Sequence, residues 1–201
     1  MGEGPHIAPY SGRARAFFDQ YRSIRFEDAH GHWLHCLPAP PGHALDVGAG
    51  SGRDANALAA RGWRVTAVEP ATPLRRLAEA ASPAGQAIVW ADSALPELGG
   101  VTAPGEGFAL ILLSAVWMHL APDQRPGALR RLVGLLAPRG VVVVTLRHGP
   151  ATDDRAFHPC DRATLKALAR EQGLAVAFEH RTDDQLGRDA VRWETVVLAR
   201  P

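Results

Sequence analysis

ALDVGAGSGRDANALAARGW, residues 44–63, decides how the chain is read. A short apolar run, Ala44 to Val47, stops at three alternating glycines, Gly48, Gly50 and Gly52. An Ala- and Leu-rich stretch, Asp54 to Ala60, follows and halts at Gly62. That order is strand, glycine turn, helix, stop. Glycine allows positive φ and brings the backbone close to whatever lies against the turn, so the loop predicts a ligand at the carboxyl end of the strand.

Outward from this unit, strand and helix alternate. RVTAV (Arg64 to Val68) reads as a second strand, and Thr72 to Ala81 as a helix with Thr72 as cap and Pro73 at its first position. QAIVW (86–90) predicts a third strand, and FALILL (108–113) a fourth. A helix over Pro122 to Leu136 carries Leu129, Leu132, Val133 and Leu136 on one side, and GVVVVTL (140–146) is the fifth strand. Strands four and five are apolar throughout, which places them inside a sheet covered on both faces. After a helix over Arg162 to Gln172, strands over Leu174 to Arg181 and Arg192 to Ala199 are joined by a short connection, so the last strand runs antiparallel. The expected architecture is α/β: a single-domain, Rossmann-like, doubly wound sheet of seven strands, the last antiparallel, with helices on both faces. Residues 1–36 are expected to form an N-terminal arm and helical lid of one or two helices packed outside the sheet, and residues 37–201 the main domain.

Bulk properties narrow the function. The chain has 201 residues, 22 Lys plus Arg against 21 Asp plus Glu, and no basic stripe, so nucleic acid is not an expected partner. No long uncharged apolar run predicts a membrane span, and residues 1–9 lack the apolar core of a signal peptide. Cys36 and Cys160 form no CxxC pair and read as reduced thiols of a cytoplasmic protein. His30, His32 and His35 lie in a predicted loop, too little for a metal site, and no metal is expected.

The glycine spacing also discriminates between ligands. A dinucleotide-binding turn would place its third glycine at position 53, which is Arg53, and Asp46 just before the turn would repel a pyrophosphate. A ligand with an amino group and a hydroxylated sugar suits these residues better. Glu69 ends the second strand, where a carboxylate accepts from both ribose hydroxyls, and Asp92 follows the third, placed to accept from an adenine amine.

LDVGAGSGRD, VTAVEP, WADSALPEL, LILLSAVWMHL and LAPRGVVVVTLRHGP, in this order over positions 44 to 150, resemble the motifs of class I S-adenosylmethionine-dependent methyltransferases. GRDANALAARGWRVTAVEP is most similar to the small-molecule branch that includes tellurite-resistance-type methyltransferases. The resemblance implies S-adenosyl-L-methionine as cofactor. It implies Gly48, Gly50, Gly52, Asp46, Arg53 and Asp54 at the methionine end, and the Ser114 backbone beside it. It implies Glu69 on the ribose, Pro70 flanking the adenine, and Asp92 with Ser93 at the adenine amine. The reaction implied is an SN2 displacement, in which the enzyme chiefly aligns the reactants and excludes water.

Past strands four and five lie SAVWMHL and LRHGP, so His119, His148 and Arg147 are the expected catalytic residues, with Trp117 beside them. The N-terminal segment resembles a lid, and Tyr10, Tyr21, Arg25, Phe26 and His30 are expected to line the acceptor pocket. Arg25, Arg147 and the nearby histidines point to an anionic acceptor. The expected partner is a small-molecule acceptor, and the expected assembly a monomer or homodimer. Two other readings are a macromolecule methyltransferase, against which stands the absence of an amide clamp in SAVW, and an S-adenosylmethionine-binding module without catalysis. A nicotinamide oxidoreductase is a more distant alternative.

Overall fold

A computed structural model describes residues 6–151, 153 and 155–201. The first five residues of the expected arm lie outside that set. The segment before the sheet forms three short helices, α1 (Ala8–Gly12), α2 (Ala14–Arg22) and α3 (Phe26–His30), and a 3-10 turn (Gly31–Cys36). The sheet then alternates with helices: β1 (His43–Val47), α4 (Arg53–Ala60), β2 (Arg64–Val68), α5 (Thr72–Ala81), β3 (Ile88–Ala91) and β4 (Phe108–Leu113). A 3-10 turn (Trp117–His119) leads to α6 (Arg125–Leu135), β5 (Leu136–His148), α7 (Arg162–Glu171), β6 (Ala175–Asp183) and β7 (Arg192–Ala199).

The seven strands are ordered β3-β2-β1-β4-β5-β7-β6. Only β7 runs antiparallel, against β5 on one side and β6 on the other. The order reverses between β1 and β4, which pair in parallel with Ala44 opposite Leu110 and Asp46 opposite Leu112. Loops leaving the two carboxyl ends diverge there, and the crevice between them is where such sheets hold ligands.

Alternation along the central strands builds two cores. Ile111, Leu113, Val142 and Val144 face α6 and α7, meeting Leu129, Leu132 and Leu165. Leu110, Leu112 and Val143 face the other way, onto Ala55 and Leu58 of α4 and onto Trp33. Trp33 is fully buried. Burying an indole of roughly 150–250 Å² contributes about 4–6 kcal/mol before entropy, enough to anchor the segment ahead of the sheet.

Three local expectations are corrected. Thr72 is not the cap of α5: Ala71 holds that position, and its amide is taken by the Glu69 carboxylate instead. The helix after β4 begins at Arg125, because Trp117–His119 forms its own turn and Ala121 N–H is taken by Gln124 Oε1. Leu136 is a strand residue opposite Phe108, so β5 starts earlier than its valine run suggests. Both cysteines are free thiols, and no helix among the described residues is long and apolar enough to cross a membrane.

Candidate active site

One cavity, about 250 Å³, opens at the carboxyl ends of β1, β4 and β5 beneath the N-terminal helices. Its floor is the glycine turn. Gly48 and Gly50 have φ of 69° and 56°. A Cβ on Gly48 would lie 2.6 Å from Val116 Cγ2, and one on Gly50 would lie 3.3 Å from the Tyr21 ring. Side chains are excluded because the β4 loop and the N-terminal helix both press on this backbone. Gly52 shares the left-handed conformation but backs onto Trp90 rather than lining the cavity.

Glu69 ties the first two strand ends together. Its Oε2 accepts from Gly50 N–H and its Oε1 from Ala71 N–H, both at 2.9 Å. A carboxylate has about four acceptor directions, so two remain after these bonds, one on each oxygen. Burial raises its pKa, while the two amides and Arg75 act to hold it down. This residue fits a vicinal diol, with one hydroxyl to each oxygen.

At the other side of the turn, Arg53 and Asp54 open α4. Arg53 Nε and Nη2 bond the Asp54 carboxylate at 2.6 and 3.0 Å, and His30 Nε2 reaches it at 3.0 Å. Trp33 Nε1–H lies 3.1 Å from His30 Nδ1. An indole N–H can only donate, so Nδ1 accepts and Nε2 donates to Asp54. The 3.3 Å approach of Arg53 Nη2 to the same Nε2 therefore joins two donors and is not a hydrogen bond. His30 and Arg53 together hold the Asp54 carboxyl well below the usual range. Asp46 lies behind the turn with Oδ2 buried and unpartnered, and burial together with Asp54 pushes its carboxyl up. Arg53, Asp54, His30 and Ser114 line the cavity; Asp46 supports it from below.

At the far end of the turn, Pro70 and Ser93 line the cavity as the sequence suggests. Asp92 does not. Its side chain is 62% exposed and is drawn outward by Arg75 Nη2 at 2.9 Å. Sequence position alone does not reveal that Arg75, three residues into α5, captures it.

The opposite end is built from the N-terminal helices and the loop after β5. Tyr10 Oη bonds His119 Nε2 at 2.9 Å. Arg155 Nη1 donates to both Tyr10 Oη (3.2 Å) and Tyr21 Oη (3.1 Å), and its Nε bonds Asp153 at 2.9 and 3.0 Å. The guanidinium lies 4.8 Å from the Phe17 ring centre and 5.2 Å from that of Phe157. Burial, reinforced by the Arg155 charge, pushes the His119 imidazole down to about 4. The Tyr10 phenol is pushed up by burial. Arg155 thus clasps the helical segment to the loop after β5.

Four expected residues are placed elsewhere. Trp117 is 1% exposed and packs in the α6–α7 core. His148 follows Arg147 by one residue, so strand alternation turns it away from the cavity and onto Glu194 Oε2 at 3.0 Å. Arg25 is exposed and paired with Asp28. Phe26, expected at the acceptor pocket, is buried against Arg61 in the α4 core. Conversely, Arg155, Phe157 and the segment before β7 line the cavity without a sequence signal, because HGPATDDRAFHPC and TDDQLGRD have no periodicity to place them.

Residues 21–181 match the family described as a methyltransferase domain. Among solved structures, the chain is similar to the 1,6-didemethyltoxoflavin-N1-methyltransferase of Burkholderia thailandensis, crystallised with 1,6-didemethyltoxoflavin and S-adenosylhomocysteine. Identity is 21% over 100% of this chain and 92% of that one, with a TM-score of 0.65. It is similar to the N-methyltransferase NodS of Bradyrhizobium japonicum (20% identity, 92% and 97% covered, TM-score 0.69). It is also similar to a TehB-like S-adenosylmethionine-dependent methyltransferase of Corynebacterium glutamicum (20% identity, 98% of each chain, TM-score 0.66). No curated protein matches the sequence.

Proposed function

The chain belongs to the methyltransferase-domain family and uses S-adenosylmethionine, and on that premise we propose that it methylates a small-molecule acceptor beneath its N-terminal helices. The observation that carries the proposal is the single cavity joining the glycine turn and Glu69 at one end to Tyr10, His119 and Arg147 at the other. Its walls are side chains of one chain, roofed by α1 and α2, which suits a small acceptor better than a polymer.

S-adenosylmethionine supplies, when bound, an electrophilic methyl on a sulfonium that is already a good leaving group. The protein's work is placement. Gly48 and Gly50 admit the donor's methionine part against bare backbone. Glu69 accepts its ribose hydroxyls through the two free directions on its carboxylate. Arg53, held by Asp54, and the Ser114 backbone bound the methionine end, with Asp46 in support. Pro70 and Ser93 bound the base; Asp92, committed to Arg75, takes no part. Tyr10, Tyr21, His119 and Arg155 close the opposite end and exclude water, so that the nucleophile meets the methyl unsolvated. His119, uncharged above about pH 4, orients Tyr10 and presents no competing charge to the methyl cation equivalent. His148 and Trp117 have no role in this scheme.

Calorimetric titration with S-adenosylmethionine, S-adenosylhomocysteine and NAD tests the donor half. Micromolar binding of the two sulfur compounds, with NAD binding at least 100-fold weaker, supports it. Transfer of a labelled methyl to a small-molecule fraction of a cell extract, in preference to its protein or nucleic acid, tests the acceptor half; label found only in polymer would overturn it.

A further inference from the structure

Arg147 is 7% exposed and lines the acceptor end of the cavity. A buried guanidinium ordinarily meets a carboxylate, because desolvating an unpaired charge is expensive. Arg147 meets none among the described residues. Its Nη1 and Nη2 donate to the Gly149 and Pro150 carbonyls at 2.8 and 2.7 Å, and its Nε–H is buried with no partner. Among the described residues, two of its five N–H donors are used.

Its charged surroundings do not compensate. The nearest guanidiniums, Arg155 and Arg188, each have their own carboxylate. Asp153 is held by Arg155 through side chain and backbone amide and approached by Arg13. Asp184 receives Arg188, Trp193 Nε1 at 2.9 Å and the Leu186 and Arg188 amides. Asp183, also in the wall, pairs with Arg192 at 3.2 Å. Among the described residues, Asp153 and Asp184 are thus committed to Arg155 and Arg188, and neither bonds Arg147. Burial, Arg188 and Arg155 lower the Arg147 pKa, and Asp184 and Asp153 offset them only in part; the guanidinium stays charged. Phe157 stacks at 4.8 Å on the Arg147 guanidinium, and Met118 and Leu120 add apolar surface to the same cavity.

We propose that the acceptor is a small organic anion, its carboxylate or comparable oxyanion bound by Arg147 and its apolar body packed against the cavity's apolar side chains, Phe157 and Met118 among them. The inference rests on the small-molecule methyltransferase reading above and narrows its substrate class. Arg147 is a binding residue in it: it fixes the acceptor's charged end so that the nucleophilic atom points at the donor.

The test compares benzoate and phenylphosphonate with benzamide, a neutral compound of the same shape, by NMR titration of protein saturated with S-adenosylhomocysteine. At least one anion is expected to bind ten or more times more tightly than benzamide. Arg147→Met, which keeps the length and removes the charge, is expected to bring that ratio to about one, with S-adenosylhomocysteine affinity within threefold of wild type as the control for folding. Arg147→Lys is expected to keep part of the preference. Equal binding of benzamide, an unchanged ratio in Arg147→Met, or no binding of either anion overturns the proposal. The same titrations without S-adenosylhomocysteine apply the same criterion if the donor does not bind, so failure of the donor site is read separately.

Discussion

Glu69→Gln is the sharpest probe of the proposed donor site, because there one side chain carries a structural load and, on the proposed function, a binding load as well. In the wild type, each carboxylate oxygen accepts one backbone N–H. An amide replaces one oxygen by an NH2 group, which must face the N–H of Gly50 or Ala71. One buried donor is orphaned, at about 1–3 kcal/mol. In a chain of this length that lowers Tm by roughly 2–12 °C. The same replacement removes one of the two acceptors offered to a ribose. A hydrogen bond to a charged group is worth about 1.5–3 kcal/mol, so S-adenosylhomocysteine should bind about 10–150 times more weakly. Glu69→Ala orphans both amides, and at ~2–6 kcal/mol threatens the fold itself, which makes the glutamine variant the more informative. Calorimetry on both proteins, with 2′-deoxy- and 3′-deoxy-S-adenosylhomocysteine as further ligands, closes the cycle: one deoxy ligand should lose affinity for wild type and little for the variant. Glutamine substitution that leaves S-adenosylhomocysteine affinity within threefold of wild type refutes the assignment.

Three further outcomes follow from the geometry. Gly48→Ala places a Cβ 2.6 Å from Val116 Cγ2 at a φ of 69°; the left-handed conformation alone costs about 1–2 kcal/mol, and donor affinity should fall by at least tenfold in the same calorimeter. His30→Phe keeps the ring but strands the Trp33 N–H and removes the donor to Asp54. A loss of about 3–5 kcal/mol in urea unfolding is expected, and a loss under 1 kcal/mol would show that the His30 bonds do not hold the segment. For His119, the folded pKa is lowered to about 4 from 6.5, so between those values the unfolded chain binds the extra proton. Its contribution, ~3 kcal/mol, is complete above pH 6.5 and drains away as the pH falls towards 4. The difference in unfolding free energy between wild type and His119→Gln should therefore shrink on acidification over that window, and a pH-independent difference would contradict the burial argument.

The sheet was legible because apolar periodicity and glycine placement report local physics. RVTAV and FALILL are strands in their entirety, and the short link to the last strand correctly marks it as antiparallel. The cavity's lining was legible where a backbone requirement forces a residue type, as at Gly48 and Gly50, or where a carboxylate follows a strand, as at Glu69. It was not legible where a side chain's direction is set by a distant partner. Asp92 sits at the expected point on the chain but turns to Arg75. Arg147 and His148 are adjacent in sequence, and only the pleat decides that one enters the cavity while the other joins Glu194. Arg155 is the clearest omission: a lone arginine in an aperiodic run says nothing until Tyr10, Tyr21 and Phe157 are brought around it.

The N-terminal helices make the two ends of the cavity mechanically continuous. Tyr21 presses its ring on Gly50 at the donor turn and receives a hydrogen bond from Arg155 at the acceptor end. His30, one helix later, bonds the carboxylate that orients Arg53. A single stretch of some twenty residues thus contacts the donor's glycine floor, the first turn of α4 and the loop after β5. A ligand that displaced this stretch would loosen the wall of the other, and donor and acceptor affinities would then be coupled, equally in both directions by linkage. On the proposed function this arrangement suits a displacement at a sulfonium carbon, because the roof that would exclude water is completed by the same contacts that would position both reactants.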